Sequence, residues 1–139
     1  MNFYIDGEWN GYKGRLISMA LVPEDLDSRH WYAELALDPD VAIDPWVREH
    51  VLPKLVGINM SLAHAQRTLQ EYLAEFDSVH IIANWPEDIE RFCALLITGP
   101  GERIDTPPLT FTIDRDLDSG KSIHPHHAFY DALAIRDAA

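Results

Sequence analysis

FYIDGEWNGYKGRLISMALV, residues 3–22, consists of two β-strand patterns that are separated by a turn. Apolar and polar residues alternate over residues 3–8, which is typical of a strand with one buried face. Asn10 and Gly11 form a common turn pair. Residues 14–22 are almost continuously apolar, which predicts a buried strand. Because the connection between the two strands is short, we expect them to pair antiparallel and to begin a β-meander.

The meander continues into a third strand, and the pattern then changes to helices that alternate with strands. We predict the third strand at residues 29–37, where apolar and polar side chains alternate. The predicted helices are 44–55, 61–76, 86–96 and 126–138, the later strands are 79–83 and 109–113, and 97–108 is a predicted loop. This order predicts an α/β fold in which helices cover a mixed sheet of about five strands.

The first predicted helix has the clearest boundary residues. Asp44 is a preferred N-cap residue, and Pro45 is suited to the first helical position. Pro53 is expected to end this helix, because its ring is incompatible with the helix interior. Trp46 lies just inside the start of the helix, and we interpret it as a core or interface residue.

Composition limits the functions that this chain can have. It has 139 residues, of which 47% are hydrophobic, so we expect one domain, residues 1–139, with a substantial core. The formal net charge is −12. That charge disfavours a protein that holds long nucleic acid by its general surface, because such binding depends on cationic contacts to phosphate. It does not exclude a metal-dependent nuclease, since bound cations reverse the local charge at a site.

Cys93 is the only cysteine, so a disulfide within the chain is impossible, and this fits a reducing compartment. Its position in the apolar stripe of a predicted helix favours a packed thiol over a nucleophile. No apolar run approaches the roughly 18 residues of a membrane span. The N-terminus begins a strand and not an export signal. We therefore expect a cytoplasmic protein that makes no membrane contact.

Asp6 and Glu8 are the first candidate site residues. They are two residues apart on the first strand, so their carboxylates point to the same face and can share a ligand. Two like charges on a half-buried strand are unfavourable unless a cation compensates them. The alternative is a solvated edge strand that carries two acids without a function.

Asp88 is the next candidate, in the first turn of the helix that Pro86 opens. The helix dipole favours an anion there, so Glu87 and Asp88 are each explained by the helix alone. Asp88 is the stronger candidate for a site, because Ile89 and Phe92 place it at the border of the buried helix face.

Residues 124–134, HPHHAFYDALA, contain three histidines that lie close to Asp131 in the sequence. A zinc site is disfavoured, because there is no companion cysteine and no His-Glu-x-x-His pattern. A histidine and a carboxylate near one helix instead suggest a general base and a metal ligand.

Together these segments resemble the three motifs of the DEDD 3′–5′ exonucleases, which belong to the RNase H-like superfamily. IDGEW, residues 5–9, is similar to the first motif, and ANWPEDIERFCAL, residues 83–95, is similar to the second. HHAFYDALA, residues 126–134, resembles the His-x-Ala-x-x-Asp-Ala motif of the DEDDh branch. DPWVREHVLPKL, residues 44–55, resembles the same stretch of the small bacterial exoribonucleases of the RNase AS type, which act on adenylate-rich RNA tails.

The resemblance implies a 3′–5′ exoribonuclease that releases nucleoside 5′-monophosphates from single-stranded RNA by a two-metal mechanism. Asp6, Glu8, Asp88 and Asp131 would hold two Mg²⁺ or Mn²⁺ ions, which suit hard oxygen ligands. The ions would activate a water molecule and stabilise the leaving 3′ oxygen. A histidine, with a reference pKa of about 6.5, would take the proton from the attacking water.

Two adjacent histidines compete for the role of general base. His126 matches the DEDDh motif. His127 is four residues before Asp131 and shares its face of an ideal helix, whereas His126 lies about 140° away from Asp131. We favour His126, which requires that it lie in the loop or in an unwound first turn.

Substrate binding and assembly are less well defined by the sequence. Trp9 follows Glu8 and is a candidate to stack on the terminal base, with packing at a strand end as the alternative. Trp31 is interpreted as a core or interface residue, and Trp85 as a residue at a helix entry. Members of the resembled family often form homodimers in which one protomer closes the other's site, and the helix that carries Trp46 is a candidate surface.

Two other functions remain open at this stage. One is a 3′–5′ DNA exonuclease of the phage or proofreading type on the same fold. The other is a non-catalytic RNase H-like interaction module, which predicts no response to divalent ions.

Overall fold

A computed structural model that covers residues 1–139 shows helices on both faces of a mixed β-sheet. The strands are β1 (Asn2–Trp9), β2 (Leu16–Pro23), β3 (Trp31–Glu34), β4 (Val79–Ala83), β5 (Ile97–Gly99), β6 (Glu102–Arg103) and β7 (Leu109–Ile113). The helices are α1 (Pro45–His50), α2 (Leu62–Leu73), α3 (Pro86–Leu96) and α4 (Ala128–Ala138), and a 3₁₀ turn spans Leu52–Lys54.

The main sheet has five strands in the order β3-β2-β1-β4-β7. The first three strands form the antiparallel meander, whereas β4 is parallel to β1 and β7 is parallel to β4. The predicted α/β fold with a mixed five-stranded sheet is therefore confirmed. Because β1 is the middle strand, the side chains at its C-terminal end lie at the centre of that edge of the sheet.

The two faces of the sheet bury different sets of side chains. One face holds the main core, to which β1 contributes Phe3 and Ile5 and helices α2 and α3 contribute Leu69, Leu73, Phe92 and Leu95. The other face is covered by α4, where Ala20 and Val22 of β2 pack against Ala128 and Ala132. Because side chains alternate along a strand, Asp6 and Glu8 point to the face that α4 covers.

The structure corrects the prediction that residues 97–108 form a loop. Strands β5 and β6 pair there as a short antiparallel hairpin. The side-chain amide of Gln66 in α2 donates to the carbonyl groups of Leu95 and Ile97, at 3.1 and 3.0 Å. Gly101 has a φ of 69°, a left-handed conformation that glycine adopts readily. The contact with Gln66 is long-range, so local pattern analysis does not reveal it.

Other boundaries also differ from the predicted ones, and α2, for example, ends at Leu73 instead of residue 76. The helix predicted at residues 44–55 is divided into α1 and the 3₁₀ turn that contains Pro53. Strand β3 has only four residues. Helix α4 begins at Ala128, two residues later than predicted, so that His126 lies before the helix. No helix in the structure combines the length and the apolar character that are needed to cross a membrane.

Candidate active site

A cavity of about 580 Å³ opens at the C-terminal end of β1. Its walls come from β1, from the start of α1, from the start of α3 and from the start of α4. All the residues that the sequence analysis selected for the site line it: Asp6, Glu8, Trp9, Asp88, His126 and Asp131.

Strand β1 positions the first two carboxylates. Asp6 is paired with Ala20 of β2 and Glu8 with Ser18, and the register shifts directly after Glu8. β1 has a neighbouring strand on both sides, so it is not an edge strand. The alternative of two acids on a solvated edge strand is therefore wrong.

Asp88 is brought to β1 by the first turn of α3. Its side chain is 2% exposed, and its Oδ1 accepts a hydrogen bond of 2.9 Å from the backbone N–H of Gly7. A Cβ atom at position 7 would lie 3.1 Å from Met19 Cε and 3.5 Å from Asp88 Oδ1. The distance to Asp88 is an ordinary van der Waals contact, so it is the backbone hydrogen bond of Gly7 that ties the start of α3 to β1 and keeps Asp88 in the same cavity wall.

Asp131 and His126 come from the start of α4. His126 has a φ of 69°, and this turn directs its backbone N–H to Asp131 Oδ2 at 3.1 Å. One potential metal-ligand atom from each of Glu8, His126 and Asp131 lies within 4.8 Å of the other two. On an ideal helix His126 would point about 140° away from Asp131. This objection to His126 does not apply, because His126 precedes the helix.

His127 has a different environment from its neighbour. It is 8% exposed, and its Nδ1 accepts a hydrogen bond of 3.2 Å from the backbone N–H of Phe129, which caps α4. Its ring stacks on Tyr32 with a centroid distance of 5.0 Å. Burial lowers the pKa of His127 below its usual value, which favours the neutral ring that this cap requires. The geometry therefore favours His126 as the histidine that faces the carboxylates.

The carboxyl groups of Asp6, Glu8, Asp88 and Asp131 have pKa values above those of free acids. Burial, followed by the neighbouring carboxylates, raises the pKa of Asp6 well above its usual value. Burial and the charges of Asp131 and Asp88 raise the pKa of Glu8 to about 8. Burial raises the pKa of Asp88 to about 7, although the hydrogen bond from Gly7 acts in the opposite direction. Burial also raises the pKa of Asp131. Crowded acids of this kind are typical of a site where a cation compensates their charge.

The oxygen atoms of these four carboxyl groups are suitable ligands for a divalent cation. Asp6 Oδ2 is buried and has no hydrogen-bond donor. None of the three ion pairs in the structure involves Asp6, Glu8, Asp88 or Asp131. Carboxylate oxygens without competing Lys or Arg partners are the ligands that Mg²⁺ and Mn²⁺ prefer.

Comparison with known proteins gives the family. No family model matches the sequence. Two proteins named 3′-5′ exoribonucleases, from Mycobacterium tuberculosis strains CDC 1551 / Oshkosh and ATCC 25618 / H37Rv, are each 31% identical to it over 126 residues, which cover 84% of this chain and 71% of the relative. The chain belongs to this 3′–5′ exoribonuclease family. The non-catalytic interaction module is correspondingly disfavoured.

Two tryptophans of this exoribonuclease family member line the cavity in addition to Trp9. Trp46 is exposed in the cavity wall and is not a core residue. Trp85 lies at the entry of helix α3, as predicted, and is also exposed in the cavity wall. The ring of Trp46 stacks on His50 and meets the ring of His126 edge-on at 4.8 Å. Trp31, by contrast, is 4% exposed and belongs to the core, as predicted. Trp85 lies inside the segment that resembles the second exonuclease motif, and Trp46 lies inside residues 44–55, which resemble the RNase AS type. These positions were the sequence indication that both residues belong to the site.

Glu34 is a buried carboxylate of this exoribonuclease family member that the sequence analysis did not select. It is 2% exposed, and its oxygens accept hydrogen bonds from the Tyr32 hydroxyl and from the backbone N–H groups of Val56, Gly57 and Ile58. Burial alone would raise the pKa of Glu34, but these bonds lower it below its usual value. Glu34 therefore fixes the segment that follows α1, and the ring of Tyr32 beside it supports His127.

Proposed function

We propose that this protein is a divalent-metal-dependent 3′–5′ exoribonuclease of the DEDDh, RNase H-like type, which releases nucleoside 5′-monophosphates from single-stranded RNA. One observation carries the proposal: four carboxylates from three separate elements converge on one cavity beside His126. Membership of the exoribonuclease family supports RNA as the substrate. The resemblance to the RNase AS type favours adenylate-rich tails within that class.

In this proposal Asp6, Glu8, Asp88 and Asp131 hold two Mg²⁺ or Mn²⁺ ions. Ions held there would polarise the scissile phosphate and would stabilise the charge that develops during hydrolysis. The buried Oδ2 of Asp6 supports this assignment, because it has no other partner that would offset the cost of its burial.

The imidazole of His126 is proposed to take the proton from the attacking water. Its position beside Glu8 and Asp131 supports this role, and so does its edge-on contact with Trp46, which restricts the orientation of the ring. The backbone bond from His126 to Asp131 couples the base to a ligand of the cation. This bond keeps the backbone of His126 beside a proposed ligand of the cation.

Trp9 is proposed to contact the terminal nucleotide. Its side chain is half-buried in the cavity wall, and the guanidinium of Arg91 lies over its ring at 5.2 Å. An indole supported on one face by a cation can present its other face to an unpaired base.

The proposal is tested by the degradation of 5′-labelled, adenylate-tailed single-stranded RNA beside the DNA of the same sequence. Each strand is incubated with Mg²⁺, with Mn²⁺ and with a chelator. We expect a ladder that shortens from the 3′ end of the RNA, requires the metal and is abolished by Asp6→Ala. Asp27→Ala, which removes an exposed acid outside the cavity, is the matched control and should retain wild-type activity.

The outcomes separate the competing functions. If the DNA is shortened faster than the RNA, the protein is a DNA exonuclease and the proposed RNA substrate is wrong. Shortening that persists in chelator would remove the cations from the mechanism. If folded wild-type protein cleaves neither strand, the proposed activity is wrong.

A further inference from the structure

Trp85 is exposed although its side chain is fixed in place. It is 44% exposed in the wall of the cavity, directly before helix α3. Its Nε1 donates to Glu87 Oε1 at 3.2 Å. The guanidinium of Arg115 lies over the ring at 4.4 Å, and Arg115 is itself held by a hydrogen bond to the carbonyl of Asn84 at 3.2 Å. An indole that is held on one face by a cation and is exposed in a cavity wall is a preformed surface for a flat ligand.

Trp46 and Trp85 lie on opposite flanks of the carboxylates. Trp85 follows β4, which is the neighbour of β1 on one side. The helix that carries Trp46 packs through Val47 against Ile17 of β2, which is the neighbour of β1 on the other side. Because the acids of β1 lie between the two indoles, an RNA strand that crosses the cavity meets one indole on each side of the scissile phosphate.

The direction of the strand follows from the chemistry of the proposed function, on which this inference rests. In an in-line displacement the attacking water and the leaving 3′ oxygen are on opposite sides of the phosphorus atom. The leaving oxygen belongs to the penultimate nucleotide, so that nucleotide lies on the side away from the general base. His126 is in contact with Trp46. The penultimate nucleotide therefore lies on the flank that carries Trp85.

We propose that Trp85, supported by Arg115, is the stacking platform for the unpaired base immediately upstream of the scissile bond. Arg115 also supplies positive charge next to a cavity whose other ionisable groups are mainly acids, which favours the approach of the RNA backbone on this flank. A base that is paired in a duplex cannot stack on an indole face in this way, so the platform selects a single-stranded 3′ end.

The test pairs substitutions in the protein with the removal of single bases from the RNA. Three labelled oligoadenylates are compared: an intact strand, a strand with an abasic penultimate nucleotide and a strand with an abasic terminal nucleotide. Equilibrium affinity is measured by fluorescence anisotropy in Ca²⁺, and KM and kcat are measured for shortening in Mg²⁺. The proteins are wild type, Trp85→Ala, Trp85→Phe and Leu26→Ala, the last of which removes an exposed apolar side chain outside the cavity.

We expect Trp85→Ala to weaken binding of the intact RNA and to raise its KM about 10-fold, the size of one base–aromatic stack. The penultimate abasic strand should bind wild type and Trp85→Ala equally, because the partner of the indole is already missing. The terminal abasic strand should still distinguish the two proteins. Trp85→Phe should restore most of the affinity, and Leu26→Ala should change nothing.

Two results would overturn this inference. One is an unchanged affinity and KM for intact RNA in Trp85→Ala. The other is a penultimate abasic penalty that is as large in Trp85→Ala as in wild type, since the base would then be held by other groups. Failure of the proposed function gives a different result, because wild-type protein would then shorten none of the strands. The anisotropy comparison of wild type with Trp85→Ala would still test whether Trp85 binds the penultimate base.

Discussion

Glu34 and Asp6 are both carboxylates enclosed by the protein, and they have opposite surroundings. Glu34 accepts hydrogen bonds from one hydroxyl and three backbone N–H groups, which lower its pKa. Asp6 has other acids as neighbours, its Oδ2 has no donor, and its pKa is raised. Burial alone therefore does not identify a functional acid. A buried carboxylate that accepts no hydrogen bonds indicates a site where a ligand is expected. A buried carboxylate whose oxygens all accept hydrogen bonds indicates a structural role.

Asp6→Asn should produce the largest effect if this distinction is right. We expect exonuclease activity to fall by about 10²- to 10³-fold or more, the range seen when a preorganised charge-stabilising group is removed. The melting temperature in chelator should not fall, because the substitution removes like-charge repulsion. Initial rates of RNA shortening and thermal denaturation check the two parts. Loss of stability with retained activity would make Asp6 a structural residue.

Glu34→Gln should give the converse result. An amide group has one acceptor oxygen instead of two, so at least one backbone N–H of residues 56–58 loses its partner. A buried donor without an acceptor costs about 1–3 kcal/mol, so urea unfolding should show a loss of that size. Glu49→Gln, at an exposed position of α1, is the control and should leave the unfolding midpoint unchanged. A midpoint equal to that of wild type in Glu34→Gln would contradict the structural role.

The two kinds of carboxylate should also give opposite responses to pH in the metal-free protein. Glu8 and Asp88 titrate near pH 8 and pH 7 in the folded state, whereas in an unfolded chain they titrate near pH 4. Between about pH 4 and about pH 8, the folded state therefore binds more protons than the unfolded chain. Its free energy of unfolding falls as the pH rises through this interval. Glu34, with a lowered pKa, stabilises the fold above its unfolded pKa and loses that contribution as the pH falls.

We therefore expect the melting temperature in chelator to be a few degrees lower near pH 8 than near pH 5.5. Saturating Mg²⁺ should raise it most at the higher pH, because the cations replace the protons. Glu8→Gln should flatten the pH dependence of the chelated protein. Scanning calorimetry in matched buffers gives these values, and a chelated wild type whose stability rises toward pH 8 would refute the interpretation of the cavity acids.

We expect the smallest effect on activity for substitution of His127, which has a structural role like that of Glu34. His127 stacks on Tyr32 and caps α4, so His127→Asn retains an acceptor for the helix terminus. We expect exonuclease rates within about 3-fold of wild type, whereas His126→Ala should lose about 10²-fold or more as a general-base variant. A larger loss in His127→Asn than in His126→Ala would reverse the assignment of the base.

Much of the fold could be predicted because local rules and tertiary structure agree. Asp44 caps α1 through hydrogen bonds from the N–H groups of Trp46 and Val47, and Pro45 takes the first helical position, as predicted. Cys93 packs against the main core, also as predicted. Alternating or continuously apolar stretches located all five strands of the main sheet. The prediction was wrong where distant contacts decide the conformation, as in the β5–β6 hairpin beside Gln66.

In the candidate site, too, local sequence patterns predicted some features, whereas others depend on tertiary contacts. The shared face of Asp6 and Glu8 follows from their spacing, and the order of the motifs indicated Asp88, His126 and Asp131. The sequence could not reveal that Gly7 donates to Asp88, since the two residues are 81 positions apart and their contact depends on the packing of α3. The donors of Glu34 are likewise set by tertiary structure.

The left-handed backbone at His126 has a consequence for how this site could change during evolution. For most residues this conformation costs about 1–2 kcal/mol, whereas glycine and asparagine adopt it more readily. Its N–H bond to Asp131 depends on the turn and not on the imidazole. A descendant that abandoned catalysis would therefore be expected to acquire glycine or asparagine at position 126, and to keep the hydrogen bond after the chemistry is lost.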